Sequence, residues 1–146
     1  TCGAMVSRLH PAGHLHLLTG TSAPCLSIFK PADVQSDRDF YVFSPEGGSA
    51  CSSLWYRWES VHRRMLFSEK ERRLFRAERD EAEKQMIESV EPCAGMPPAS
   101  RLAAADETAA AWSDKWITRC RKAPFRYPVS PYGAYWRWMN RRDRIV

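Results

Sequence analysis

Few residues in this chain are spaced for chemistry. Four histidines occur, at positions 10, 14, 16 and 62. His14 and His16 lie two apart, and on a strand they share a face from which both could reach a metal ion. Apart from His10 no third ligand stands nearby, so the pair reads as two histidines on a half-buried strand and no metal is expected. The five cysteines, Cys2, Cys25, Cys51, Cys93 and Cys120, are odd in number, widely separated and free of any CxxC pair. That pattern argues against a disulfide scaffold or a zinc knuckle and for reduced thiols in a cytoplasmic protein. Asp33, Asp37 and Asp39 are close together but lack the glycine that a calcium loop needs for its turn. Thr1 has the residue type of an N-terminal nucleophile, whose own α-amine acts as the base, yet a terminal threonine alone carries no such role. No GxSxG elbow, P-loop, GxGxxG or HExxH is present. Residue types and spacing therefore assign no catalytic residue and no cofactor.

The elements that would position a site change character along the chain. Residues 1–45 read as short antiparallel strands: Ala4 to Ser7, His14 to Leu17, Cys25 to Phe29 and Phe40 to Phe43. Pro11-Ala12-Gly13 supplies a turn between the first two, and Lys30-Pro31 is expected to stop the third, with the lysine at its edge or near an acidic partner. Ser44-Pro45-Glu46-Gly47-Gly48 then marks a boundary. A helix without Gly or Pro is expected from about Ser53 to Glu91, capped by Ser52 or Ser53. Leu54, Trp58, Val61 and Met65 form one apolar face, which Leu74, Phe75, Ala82, Met86 and Ile87 continue less strictly. Pro92 to Pro98 breaks the helix. A second one, from about Ala99 to Lys122, carries Leu102, Ala105, Ala109, Trp112 and Trp116 at alternating steps of three and four, a packing stripe for a helical hairpin.

The chain thus divides into a strand segment (1–45), a helical hairpin broken near 92–98 (46–122) and a basic, aromatic tail (123–146). With 146 residues it has one domain's worth of chain, and its 44% hydrophobic content is that of a globular protein. No apolar run approaches the ~20 residues of a membrane span. The net charge of +5 is unevenly spread. From Arg119 onward eight basic residues face one acid, whereas the preceding 118 residues carry fourteen basic and sixteen acidic side chains. A chain that begins at Thr1 rather than Met is expected to be processed or a piece of a longer one.

Three segments in order carry a family resemblance. Gly3-Ala4-Met5-Val6-Ser7 is followed by Leu17-Leu18-Thr19-Gly20-Thr21-Ser22-Ala23-Pro24-Cys25-Leu26-Ser27-Ile28-Phe29-Lys30-Pro31, and then by Leu54-Trp55-Tyr56-Arg57-Trp58-Glu59-Ser60-Val61-His62-Arg63. Together they resemble the C-terminal part of the secernin-like dipeptidases, cysteine peptidases of the N-terminal-nucleophile class. The ending Tyr135-Trp136-Arg137-Trp138 through Asn140-Arg141-Arg142 is similar to the family's C-terminus. Ser22 departs from a proline in the family pattern and Ala4 from a serine.

The resemblance implies an α+β fold, the C-terminal part of an αββα sandwich, and hydrolysis of dipeptides or related amides. It places the nucleophilic cysteine upstream of the matched region, so no catalytic residue is expected in this chain. The partners it implies are the remainder of the same domain and the substrate, with self-association open. Thr19, Gly20 and Thr21 offer hydroxyls and a flexible backbone at a strand end, where a substrate terminus could bind; a plain turn between strands is the other reading. Trp55, Trp58 and His62 are expected to pack the helix on the sheet. A separate functional reading starts from the tail. Arginines interleaved with Tyr132, Tyr135, Trp136 and Trp138 suit nucleic acid or a protein partner, although the resemblance favours a structural role and makes nucleic acid the less expected partner. Strands that normally pair within a larger sandwich would leave bare edges, and poor solubility is expected of the chain alone.

Overall fold

The computed structural model describes residues 3–11, 13–34, 54–90, 99–122 and 126–145. The fold is α+β, with a three-stranded antiparallel sheet followed by helices. The expected strand at Phe40 to Phe43, the Ser52/Ser53 cap and the Pro92–Pro98 break lie outside the described residues.

Strand β1 (Ala4–Arg8) pairs with β2 (Leu15–Thr19), which pairs with β3 (Lys30–Ala32). Val6 stands opposite Leu17, and Leu17 opposite Pro31. The β1–β2 turn closes with the Gly13 amide donating to the His10 carbonyl at 3.0 Å. Gly13 has φ 151°, a conformation that a side chain disfavours, as the turn signal predicts.

The third strand differs from expectation. Residues Pro24–Leu26 form a 3-10 turn, closed by Leu26 and Ser27 amides on the Ala23 and Pro24 carbonyls. Pro24 fits because its fixed φ suits the first position of a helical turn. Leu26, Ser27 and Ile28 are buried consecutively, without the alternation of a half-exposed strand. The strand comes later and includes Lys30-Pro31, which was expected to end one. β3 is an edge strand, where a residue without an amide proton is tolerated. Lys30 does find an acidic partner: its ammonium donates to Asp106 Oδ1 at 2.6 Å, tying the sheet to the second half of the chain.

The long first helix is two helices, α1 (Leu54–Met65) and α2 (Glu69–Val90). Continuing the Leu54–Met65 stripe at helical period would put apolar residues near positions 68–69, 72 and 76, where the chain has Ser68, Glu69, Arg72 and Arg76. The break resets the phase so that Phe75, Ala82, Met86 and Val90 become the buried face of α2. Ser68 caps α2, its hydroxyl accepting from the Glu71 amide at 3.3 Å. Arg72 Nη1 donates to the Met65 carbonyl at 2.8 Å, satisfying the end of α1. Glu71 holds Arg64 through both carboxylate oxygens, at 2.5 and 2.7 Å, which locks the two helices across the break.

Helix α3 (Ala99–Lys122) follows its expected bounds, and the whole stripe Leu102, Ala105, Ala109, Trp112 and Trp116 is buried. α3 packs against both α1 and α2. The centre is aromatic: Phe75 lies 5.1 Å from Trp112 and 5.0 Å from Trp116, and Trp58 lies 5.9 Å from Trp112 between ring centroids. Trp58, Val61, Met65, Phe75 and Trp116 have no solvent exposure. Burial of each such side chain contributes about 1.5–3 kcal/mol. Trp58 packs α1 on the segment that precedes β3, and its indole donates to the Leu26 carbonyl at 2.9 Å. The tail contains a fourth helix, α4 (Pro131–Asp143), which the strand-and-hairpin outline did not include. Ser130 caps it by accepting from Gly133 N at 3.0 Å, and Pro131 occupies its first turn. A Cβ on Gly133 would meet the Pro128 carbonyl oxygen at 2.1 Å, so only glycine fits there.

Candidate functional site

The segment after β2 and the middle of α1 face one another. Thr19 and Ser27 share a buried hydrogen bond of 2.7 Å between their hydroxyls, which pins both ends of the intervening loop. Gly20 is half-buried, and the positive φ that a glycine could supply here is instead found at Gly13. Thr21 is fully buried and its hydroxyl has no hydrogen-bond partner among the described residues. Of the three candidate substrate-binding residues, Thr21 is therefore the one with unused side-chain hydrogen-bonding capacity.

Across from this loop, Glu59 anchors a polar cluster at the junction of α1 and α4. His62 Nδ1 lies 3.1 Å from one carboxylate oxygen, and Arg63 Nε donates to the other at 2.8 Å. Arg63 then spends its remaining donors on α4, with Nη1 to Asn140 Oδ1 at 2.9 Å and Nη2 to Asp143 Oδ2 at 2.7 Å. Asn140 in turn donates to the Tyr127 hydroxyl. The Trp136 ring closes the cluster, 5.1 Å from the Arg63 guanidinium carbon and 6.4 Å from the His62 ring. Residues 59, 62 and 63 come together because positions three and four apart share a helix face, and His62 and Arg63 carry the contact to α4.

Burial alone would push the Glu59 carboxyl upward, yet the His62 bond, the neighbouring Ser22 hydroxyl, the His62 charge and the Arg63 bond outweigh it and bring the group down to about 2. Burial also acts to raise Asp143, but its bonds to Arg63 and Arg142 leave it lowered. Burial raises the Tyr127 phenol, only partly offset by the Asn140 bond. Glu59 is 6% exposed and Arg63 4%, so this is a buried ion pair whose charges are matched by hydrogen bonds. The cluster orients; it does not form a nucleophilic relay. Glu59 holds the His62 ring and no hydroxyl among the described residues bonds it, whereas a hydroxyl nucleophile requires the imidazole at its own oxygen.

A hydroxyl–imidazole contact does occur elsewhere. Ser7 Oγ lies 2.8 Å from His16 Nδ1 across β1 and β2. It is exposed, and no carboxylate among the described residues bonds His16 to fix its tautomer. His14 and His16 have ring centroids 6.3 Å apart, but His14 Nδ1 already accepts from the His10 amide at 3.3 Å. Among the described residues no three His, Cys, Asp or Glu side chains gather as a metal-binding group. Cys25 and Cys120 carry free thiols; burial pushes the Cys120 thiol up to about 12. Asp37, Asp39 and the remaining cysteines lie outside the described residues.

Asn140, Asp143 and Tyr127 were not among the candidate residues. Nothing local marks them, since their partner Arg63 is 77 and 80 residues away from the first two. Ser68-Glu69-Lys70-Glu71 was a readable signal, because Ser-x-x-Glu is a helix-start signature.

The fold is thus an α+β arrangement in which, among the described residues, a small antiparallel sheet precedes four α-helices. No protein-family model, curated protein or solved structure matches the chain. Among the described residues no helix is long and apolar enough to cross a membrane.

Proposed function

We propose that this chain is the C-terminal part of a secernin-like amide hydrolase of the N-terminal-nucleophile class, acting on dipeptides or related amides. In this reading the nucleophilic cysteine belongs to residues outside the sequence given, and the chain contributes scaffold and part of the substrate-facing wall. The observation that carries the reading is the convergence of the segments on which the resemblance rests. Trp58 joins the helix segment to the Leu26 carbonyl of the strand segment, and Arg63 joins it to Asn140 in the terminal segment.

The β1 strand supports the same reading. Met5 and Val6 point to opposite faces of the sheet, and they are 60% and 57% exposed. A strand that among the described residues is bare on both faces and free along one edge suits a sheet that continues into further strands and a second layer. A substrate terminus would approach the loop Thr19-Gly20-Thr21 at the half-buried Gly20, since the side chains of Thr19 and Thr21 are buried. The cytoplasm suits the exposed free thiol of Cys25.

Assembly of this chain with an upstream segment bearing an N-terminal cysteine tests the reading on a panel of dipeptides. Hydrolysis that disappears when that cysteine becomes alanine is expected. An assembled, folded protein that cleaves no amide on the panel would overturn it.

A further inference from the structure

Helix α4 spends its aromatic residues unequally. Trp136 turns inward onto Arg63 and His62. Tyr132, Tyr135 and Trp138 remain 54%, 48% and 57% exposed. Spaced three residues apart, they climb one side of the helix in steps of about 4.5 Å. The Tyr135 and Trp138 rings lie 6.3 Å apart and tilt by 42°. The Arg142 guanidinium lies 5.2 Å from the centre of the Trp138 ring, inside the same arc. Arg137 and Arg141 are exposed on the adjoining strip.

The exposed charged residues of α4 are all basic. Asp143 is the single acid from Arg119 to the end of the chain, and Arg63 and Arg142 already bond it at 2.7 and 3.0 Å. An occupant must therefore be anionic and must also offer flat apolar faces to three rings. Unpaired bases on a phosphate backbone meet both demands, since bases stack on aromatic rings while arginines neutralise phosphates. A duplex hides its base faces, and a lipid surface would force Arg142, in the middle of the aromatic arc, toward hydrocarbon. We propose that the exposed face of α4 binds single-stranded nucleic acid, with Tyr132, Tyr135 and Trp138 as stacking platforms and Arg137, Arg141 and Arg142 as phosphate contacts. Tyr135 and Trp138 lie away from the Arg63 cluster, whereas Tyr132 borders it, its ring 6.2 Å from Trp136 and 5.5 Å from Phe67; the proposal does not depend on the hydrolase reading.

Titration of the full chain with a labelled oligothymidylate of about 12 nucleotides, read by anisotropy and tryptophan quenching, tests this directly. Binding should weaken about tenfold or more in Trp138→Ala and in Tyr135→Ala, with Trp138→Phe restoring most of it. Arg137→Gln and Arg141→Gln should each flatten the salt dependence, by about 0.7 in the slope of log affinity against log salt. The melting temperatures of these surface variants should stay unchanged, and a duplex of equal length should bind about tenfold more weakly. No binding, binding indifferent to Trp138→Ala and Tyr135→Ala, or equal affinity for duplex would overturn the proposal. Association with phosphatidylserine vesicles in the absence of oligonucleotide binding would also overturn it, in favour of a lipid surface.

Discussion

Helices α3 and α4 are both rich in tryptophan, and they attach to the molecule by different physics. α3 presents Trp112 and Trp116 on a stripe whose other members are Leu102, Ala105 and Ala109. The alanines let α1 and α2 approach closely, and the indoles fill the space between them around Phe75. α4 buries little apolar surface of its own; Gly133 and Asn140 are its buried residues. Its main anchor is one arginine reaching from α1 to an amide and a carboxylate, with Trp136 laid against that arginine and Tyr132 resting 5.5 Å from the Phe67 ring. A helix docked by oriented polar bonds keeps its remaining aromatics available, whereas a helix docked by a stripe consumes them. The difference is geometric. The stripe of α3 steps by three and four alternately, which keeps Trp112 and Trp116 on one face, while Tyr132, Tyr135 and Trp138 drift around the helix at constant steps of three.

The largest effect should come from the α3 side. Trp116→Ala empties the centre of the core and should cost about 3–5 kcal/mol, measured by urea unfolding followed by far-UV circular dichroism. A cost near zero would mean that the indole is not packed as described. Removing the α4 anchor should cost slightly less. Arg63→Ala leaves Glu59 buried with one cationic partner fewer and breaks the bonds to Asn140 and Asp143. A loss of about 3 kcal/mol is expected, and near-neutral behaviour would remove the arginine from the account.

Acid provides a third probe of the same junction. The Glu59 carboxyl is brought from 4.5 to about 2 in the folded state. Its contribution is therefore complete above the unfolded value, fades as pH falls from there through the folded value, and vanishes below both. The increment is at most about 3 kcal/mol. Glu59→Gln should lack that increment, so the gap in stability between it and the parent protein should close as pH falls toward 2; a gap that is constant with pH contradicts the assignment. The smallest effect belongs to the exposed face of α4. Trp138→Ala should change stability by less than about 0.5 kcal/mol, because its ring rests mainly on Arg142 and Tyr135 at the surface.

The same contrast explains what the sequence made legible. Apolar periodicity exposes packing by stripe, so the face Leu54, Trp58, Val61, Met65 and the whole of α3 were readable, and so was the β1–β2 pairing with its glycine turn. The acidic partner of Lys30 was anticipated in kind, but its identity as Asp106 was not, because the two are 76 residues apart. The α1–α2 break escaped notice because no Gly or Pro marks it; the signals were the lost phase after Met65 and the Ser68-x-x-Glu71 start. The segment Cys25 to Phe29 has strand-like composition, yet Pro24 starts a helical turn there and tertiary burial, not alternation, selects its apolar residues. The Glu59–Arg63 pair is four residues apart on one helix, but its extension to Asn140 and Asp143 was invisible to local spacing, because those links form only once α4 folds back on α1.

Residue-resolved hydrogen exchange on Arg63→Ala tests the contrast between the two helices most directly. Amides of α4 should lose their protection while those of α3 retain most of theirs, since the stripe does not depend on the arginine. Equal loss in both helices, or protection of α4 that survives the substitution, would contradict the conclusion that α4 is held by its polar anchor.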